Sequence, residues 1–179
     1  MKEGRGIHSD KTTAAKADMI AHATIKTAHE KMEEDPAFYE KFSKLIQEAI
    51  DAFRAKRLSD LEYLSKVMEL RDAVATKKHD DVPMILGEND NATAYFGVIK
   101  SFITDDAVAA STALWIDETI KQHYKVQFWD DTNAVNRAIN AIDDYLFDEV
   151  KGSNGIDLST EQMDTIIEKT MQVAKHRMP

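Results

Sequence analysis

The fold class this chain predicts is all-α: an irregular domain of about seven helices with no sheet. Three observations predict it. Turn formers are scarce, with six glycines and three prolines in 179 residues, about 5% against roughly 12% in ordinary usage. That is too few for a β-sandwich or barrel. Apolar residues recur three and four apart in one segment after another, the period of a helix with one buried face. Two capping boxes, Ser59-Asp60-Leu61-Glu62 and Ser159-Thr160-Glu161-Gln162, each stand just ahead of such a segment.

The elements follow in order. Thr12 or Thr13 can cap a first helix that runs to about Met32. Its stripe is Ala14, Ala17, Ala21, Ile25, Ala28 and Met32, and the small side chains invite close approach by a neighbour. Asp35-Pro36 restarts the chain, because Asp accepts from orphan N–H groups and Pro suits the first helical position. The helix that follows is expected to bury Phe38, Phe42, Leu45, Ile46, Ala49 and Phe53. Ser59 opens a third helix to about Val74, with Leu58 and Tyr63 placed for a hydrophobic staple. Lys77-Lys78-His79-Asp80-Asp81 reads as a solvated break. Pro83 to Asn91 is the loop richest in turn residues.

A fourth helix carries Ala94, Tyr95, Phe96, Val98, Ile99 and Phe102. Thr104-Asp105-Asp106 caps a fifth, which runs to about His123. Lys125 to Trp129 reads as short and extended. A sixth helix follows Asp130-Asp131 with the stripe Val135, Ala138, Ile139, Ile142, Tyr145 and Leu146. Gly152-Ser153-Asn154-Gly155 is a turn, and a last helix presents Met163, Ile166, Ile167, Met171 and Ala174. The expected organisation is a lead-in over residues 1–11, or the remnant of something upstream, and a single helical domain over 12–179. The break near 76–92 is the place where two subdomains would part.

Composition narrows the function. There are 23 Lys and Arg against 32 Asp and Glu, a net charge of −9, and no cysteine. A disulfide scaffold, a thiolate zinc site and a cysteine nucleophile are excluded. The 43% hydrophobic content can supply a core, but no apolar run approaches the ~20 residues of a membrane span. No signal peptide follows Met1. A soluble, cytoplasmic protein with no membrane partner is expected.

The searches for chemistry fail one by one. A phosphate loop needs Gly-x-x-x-x-Gly-Lys-Ser/Thr, and neither Gly87 nor Gly152 to Gly155 fits. Asp144 with Glu149-Val150-Lys151 matches a magnesium nuclease by letter, but one helix without strands cannot assemble that site. His22 and His29 lie seven apart, where helical metal ligands prefer four. The remaining histidines are scattered, and no Ser–His–Asp arrangement can be defended. Trp115 and Trp129 read as core. No catalytic residue, no metal ligand and no cofactor is therefore expected in this chain.

The polar face of the sixth helix offers more. With Ile142 at the centre of the stripe and about 100° per residue, Asp144 falls near 200° and Phe147 near 140°. Asp143 and Asp144 are solvated, or contact a partner. Phe147 on the same side packs under another helix or meets a partner. Basic residues cluster at Arg54-Ala55-Lys56-Arg57, Lys77-Lys78-His79, Lys121 to Lys125 and Lys175-His176-Arg177. Such clusters can touch phosphates, or they can complement helix C-termini.

Several blocks, taken in order, resemble one family. They are Lys16-Ala17-Asp18, Lys31-Met32-Glu33-Glu34-Asp35-Pro36-Ala37-Phe38-Tyr39 with Phe42-Ser43, Ala94-Tyr95-Phe96-Gly97, Trp129, Ile142-Asp143-Asp144-Tyr145-Leu146 and Ala174-Lys175-His176-Arg177. Together, from Lys16 to the end, they look like the C-terminal domain of the R (motor) subunit of type I restriction enzymes of the IC type. The resemblance implies a parent with a nuclease domain and two RecA-like motor domains upstream, using ATP and magnesium. It implies partners in the methyltransferase M and S subunits and in the other domains of the R subunit, with DNA as a further partner. On that footing this chain is a non-catalytic assembly domain in a bacterial cytoplasm. The expected partner-binding residues are Asp35, Phe38, Tyr39, Asp143, Asp144 and Phe147. The expected DNA-binding residues are Arg54, Lys56, Arg57, Lys77, Lys78, Lys175 and Arg177. Without the resemblance, the alternative is an independent helical adaptor.

Overall fold

Caps and apolar stripes set the helices in a computed structural model that describes residues 7–179. Seven α-helices are present among the described residues, and no strand. They are α1 (Ile7–Glu30), α2 (Pro36–Arg54), α3 (Asp60–Thr76), α4 (Asp90–Ile99), α5 (Asp106–His123), α6 (Thr132–Tyr145) and α7 (Thr160–Arg177). Both capping boxes form: the Ser59 side chain accepts from Glu62 N–H, and Ser159 from Gln162 N–H, with each partner side chain reaching back. Asp105 caps α5 through two backbone N–H groups, and Asp131 caps α6 through Ala134 N–H.

The helices fall into two compact units, one of residues up to Met32 with Phe38–Asp80, the other of Glu33–Ala37 with Asp81–Pro179. In the first unit α1 and α3 run in the same direction. Tyr63, near the start of α3, donates from its hydroxyl to Asp18 at 2.8 Å. Val74 and Lys77, at the other end, share a groove with Thr27 and Lys31. Ala17, Ala21 and Ala28 are fully buried at this seam, as the alanine stripe predicts. Tyr63 also stacks on Phe53 at 4.5 Å. Burial, with the Asp18 carboxylate beside it, raises the Tyr63 pKa.

The second unit has its own core. α4 packs on α5 and α7, α5 on α6, and α6 on α7. Asp117 on α5 is buried and bound by Lys121 Nζ at 2.6 Å and Asn89 Nδ2 at 2.7 Å. The same Asn89 side chain accepts from Ala92 N–H and so caps α4. Trp115 stacks on Tyr145 at 4.1 Å.

Three expectations are corrected. The first helix begins at Ile7, ahead of Thr12 and Thr13, so only residues 1–6 of the expected lead-in lie outside the described residues. Residues 125–129 are not extended: Gln127 adopts a left-handed conformation and leads into a 3-10 turn at Phe128–Asp130 that buries Phe128. The sixth helix continues past Tyr145 as a π-helix, Leu146–Ser153, which takes in Gly152 and Ser153 of the expected turn. This keeps Leu146 and Val150 both buried and leaves Phe147, Asp148 and Glu149 outside.

Candidate functional site

The segment Glu33–Ala37 is drawn into the second unit, and its surroundings explain three of the sequence blocks. Gly97 on α4 faces it so closely that a Cβ there would lie 2.7 Å from the Ala37 Cβ. Arg177 at the end of α7 donates from Nε to Asn91 Oδ1 at 2.8 Å and from Nη1 to the Glu34 carbonyl at 3.1 Å. His176 Nε2 lies 3.1 Å from Glu33 Oε2. Residues 33–37 thus meet Asn91, Gly97, His176 and Arg177 in one clasp of the second unit.

Four expected site residues are wholly or partly buried. Phe38 and Tyr39 are buried in the core of the first unit, in edge-to-face contact with each other at 5.1 Å. They offer a partner no surface. Asp35 is buried as well. Arg177 is half-buried, with two of its guanidinium nitrogens bonded within the second unit.

The expected face of α6 is exposed. Asp143 and Asp144 are open to solvent, and Phe147 keeps 58% of its surface accessible. No other helix covers it; Lys151 Nζ stands 6.0 Å from its ring centre. Asp143 also borders a groove of about 490 Å³ between α6 and α7. Val135, Ile139, Ile167 and Met171 form the apolar part of its lining, and Trp129 lies at one end with its indole Nε1–H donated to the Met178 carbonyl at 2.6 Å. The rim is asymmetric. Asp143, Asp164 and Glu168 gather where α6 ends and α7 begins, and Lys175 lies toward the other end. A surface with apolar floor and charged rim suits protein recognition better than group transfer.

No family model, no curated protein and no solved structure matches the chain.

The basic candidates of the first unit do not form one patch. Arg54, Lys56 and Arg57 are exposed where α2 ends, beside the start of α3; Lys77 and Lys78 follow its other end. The 17 residues of α3 separate the two groups by about 25 Å at 1.5 Å per residue. Lys56 and Lys77 each adopt a left-handed conformation after a helix end, and Lys78 lies 3.6 Å from Asp80. Lys175 belongs to the α6/α7 groove. His22 and His29 are exposed on α1, and among the described residues no group of three His, Cys, Asp or Glu side chains is placed to hold a metal ion. No helix among them is long and apolar enough to cross a membrane.

Sequence reasoning found Asp143, Asp144 and Phe147 from the helical wheel. It missed Asp164, Glu168 and Lys175 as rim partners of Asp143. Their signal was present: all three flank the Ile167–Met171 stripe of α7, but the pairing of α6 with α7 is a tertiary fact.

Proposed function

We propose that this chain is a non-catalytic docking domain, the C-terminal domain of a type I restriction R subunit that holds the motor to its methyltransferase core of two M subunits and one S subunit. The observation that carries this reading is the acid-rimmed apolar groove between α6 and α7, with an uncovered Phe147 one turn beyond Asp143. Exposed aromatics beside an apolar groove are the commonest anchors of protein interfaces. The acidic rim complements a partner that must carry basic surfaces to hold DNA. The ordered sequence blocks support the family, and the failed motif searches support a chain that leaves catalysis, ATP and magnesium to the rest of its parent.

The test is capture of the purified methyltransferase core by this chain, wild type against the triple variant Asp143→Lys, Asp144→Lys, Phe147→Ala. All three side chains are exposed, so the variant is expected to fold. Capture should fall at least tenfold, about the effect of one lost anchor residue. Capture undiminished by the variant removes this face as the docking surface, and no capture by the wild type removes the assembly reading.

A further inference from the structure

The last helix carries its charge in the order that suits its own dipole. Glu161 lies in the first turn of α7, and Lys175, His176 and Arg177 lie in its last. His176 and Arg177 turn toward Glu33, Asn91 and the Glu34 carbonyl. The groove against α6 keeps the rest of the gradient, with Asp164 and Glu168 lining one end and Lys175 the other. The two helices are antiparallel, since Trp129 ahead of α6 donates to the Met178 carbonyl past the end of α7. Asp143, late in α6, therefore adds a third carboxylate to the acidic end. Glu168 accepts from Gln172 one turn on at 3.3 Å and keeps its charge. All three carboxylates and Lys175 are exposed. Between the two ends Ile139, Ile167 and Met171 make an apolar floor.

Length and charge order together select an occupant. From Asp164 to Lys175 the groove spans about 16 Å, room for roughly three helical turns. An apolar floor between two helices takes the apolar stripe of a third. A helix that follows the same dipole rule carries acids in its first turn and bases in its last. Such a helix complements α7 only when antiparallel to it. Its basic last turn then lies over Asp143, Asp164 and Glu168, and its acidic first turn over Lys175. The opposite direction would set acids against acids and bases beside the lysine.

We propose that the α6/α7 groove receives an amphipathic helix of a partner protein, antiparallel to α7, with its apolar stripe on Ile139, Ile167 and Met171 and basic residues in its last turn. A nucleic acid is the poorer occupant, since its phosphates would meet three carboxylates. The proposal rests on the reading of this groove as a docking surface and adds the chemistry and direction of what docks.

The experiment uses the full chain and synthetic peptides of about 14 residues, stapled on the outer face so that all are helical. The first has a leucine stripe, glutamates in its first turn and lysines in its last. The second has glutamates in place of the lysines, and the third has alanines in place of the leucines. Binding is read by fluorescence anisotropy at low salt. The first peptide should bind about tenfold more tightly than the second, from two rim pairs worth roughly threefold each, and the third should bind more weakly than the first by at least as much. Asp164→Lys with Glu168→Lys should invert the order of the first two peptides, and the milder Asp164→Asn with Glu168→Gln should narrow it. Direction is read by disulfide trapping, for which the chain offers no cysteine of its own. Glu168→Cys should trap a peptide with a cysteine in its last turn and not one with a cysteine in its first. Equal binding of the first two peptides, an alanine peptide as tight as the leucine one, or trapping through the first turn overturns the proposal. Self-association of the chain that is abolished by Asp164→Lys with Glu168→Lys also overturns it, and assigns the groove to a second copy. Capture of the methyltransferase core separates this proposal from the reading beneath it. A core captured by a chain that binds no peptide strikes the helix alone, and peptide binding in the stated order without core capture strikes the methyltransferase alone.

Discussion

Lys56 and Lys77 show how one residue can carry two readings. Both belong to basic clusters that suggest phosphate contact, and both sit just past a helix end with φ of 57° and 50°. The backbone around them repeats. Arg57 N–H reaches the Ala52 carbonyl at 2.9 Å, and Lys78 N–H reaches the Ala73 carbonyl at 3.0 Å, the long bond of a Schellman ending. Glycine is the usual residue at the left-handed position. A side chain there costs about 1–2 kcal/mol, and glycine gives back about 0.5–1 kcal/mol of unfolded-chain entropy. The steric relief wins by a small margin. Lys56→Gly or Lys77→Gly is therefore expected to raise stability by about 0.5 kcal/mol each, read as a higher urea midpoint at unchanged slope. A lower midpoint would mean that the lysine side chain contributes more to the fold than its backbone costs. Arg177 is the contrasting case: its charge looked free for DNA, yet two of its nitrogens are taken up by Asn91 and Glu34.

Elements were legible where local chemistry decides them. Ser59, Asp105, Asp131 and Ser159 fix four helix starts through bonds to residues two or three positions on, so no knowledge of the rest of the chain is needed. The stripe of α6 likewise showed which side faces out, and Phe147 is found there. The failures lie where distant contacts decide. Phe38 was legible as core from its stripe, but Tyr39 beside it was not, and the packing of the first unit buries both. The π-helix after α6 buries Leu146 and Val150 in the second core, and its wider turn has no local signal in the sequence. Gly97 is the clearest case. Within α4 a glycine is locally unfavourable, and its reason is the Ala37 Cβ at 2.7 Å from the Cβ it lacks. The atom in the way belongs to a short side chain fixed to backbone, so it cannot swing aside. Gly97→Ala is expected to lower stability by about 1–3 kcal/mol through overpacking, despite the better helix propensity of alanine. The fall should appear in thermal or urea unfolding. A neutral or stabilising result would show that the Glu33–Ala37 segment shifts away at little cost.

Charge acts at the scale of the whole molecule. A net −9 repels duplex DNA at long range, and within the first unit the described basic candidates fall into two separate groups. Lys77 and Lys78 stand at the far end of α3 from Arg54, Lys56 and Arg57; Lys175 shares its groove with three acids; Arg177 is engaged internally. Arg54, Lys56 and Arg57 form one exposed group of three cations in the first unit. At about 0.9 counterions per phosphate, it supplies a salt slope of at most about 2.7. That equals only some fortyfold in affinity between 50 and 200 mM salt, too little to overcome the overall repulsion. The free chain is accordingly expected to give no mobility shift of duplex DNA at about 10 µM protein and 150 mM salt, a concentration inside the usual non-specific range of 10⁻⁴–10⁻⁶ M. On the function proposed above, in a full subunit already held on DNA, the same group can act locally, since screening leaves it a reach of about 8 Å. There Arg54→Gln with Lys56→Gln and Arg57→Gln should lower the salt slope by about 2–3, while Arg177→Gln should leave it unchanged. A free chain that shifts DNA at micromolar concentration would reverse the order of the two roles, with DNA contact primary and assembly secondary.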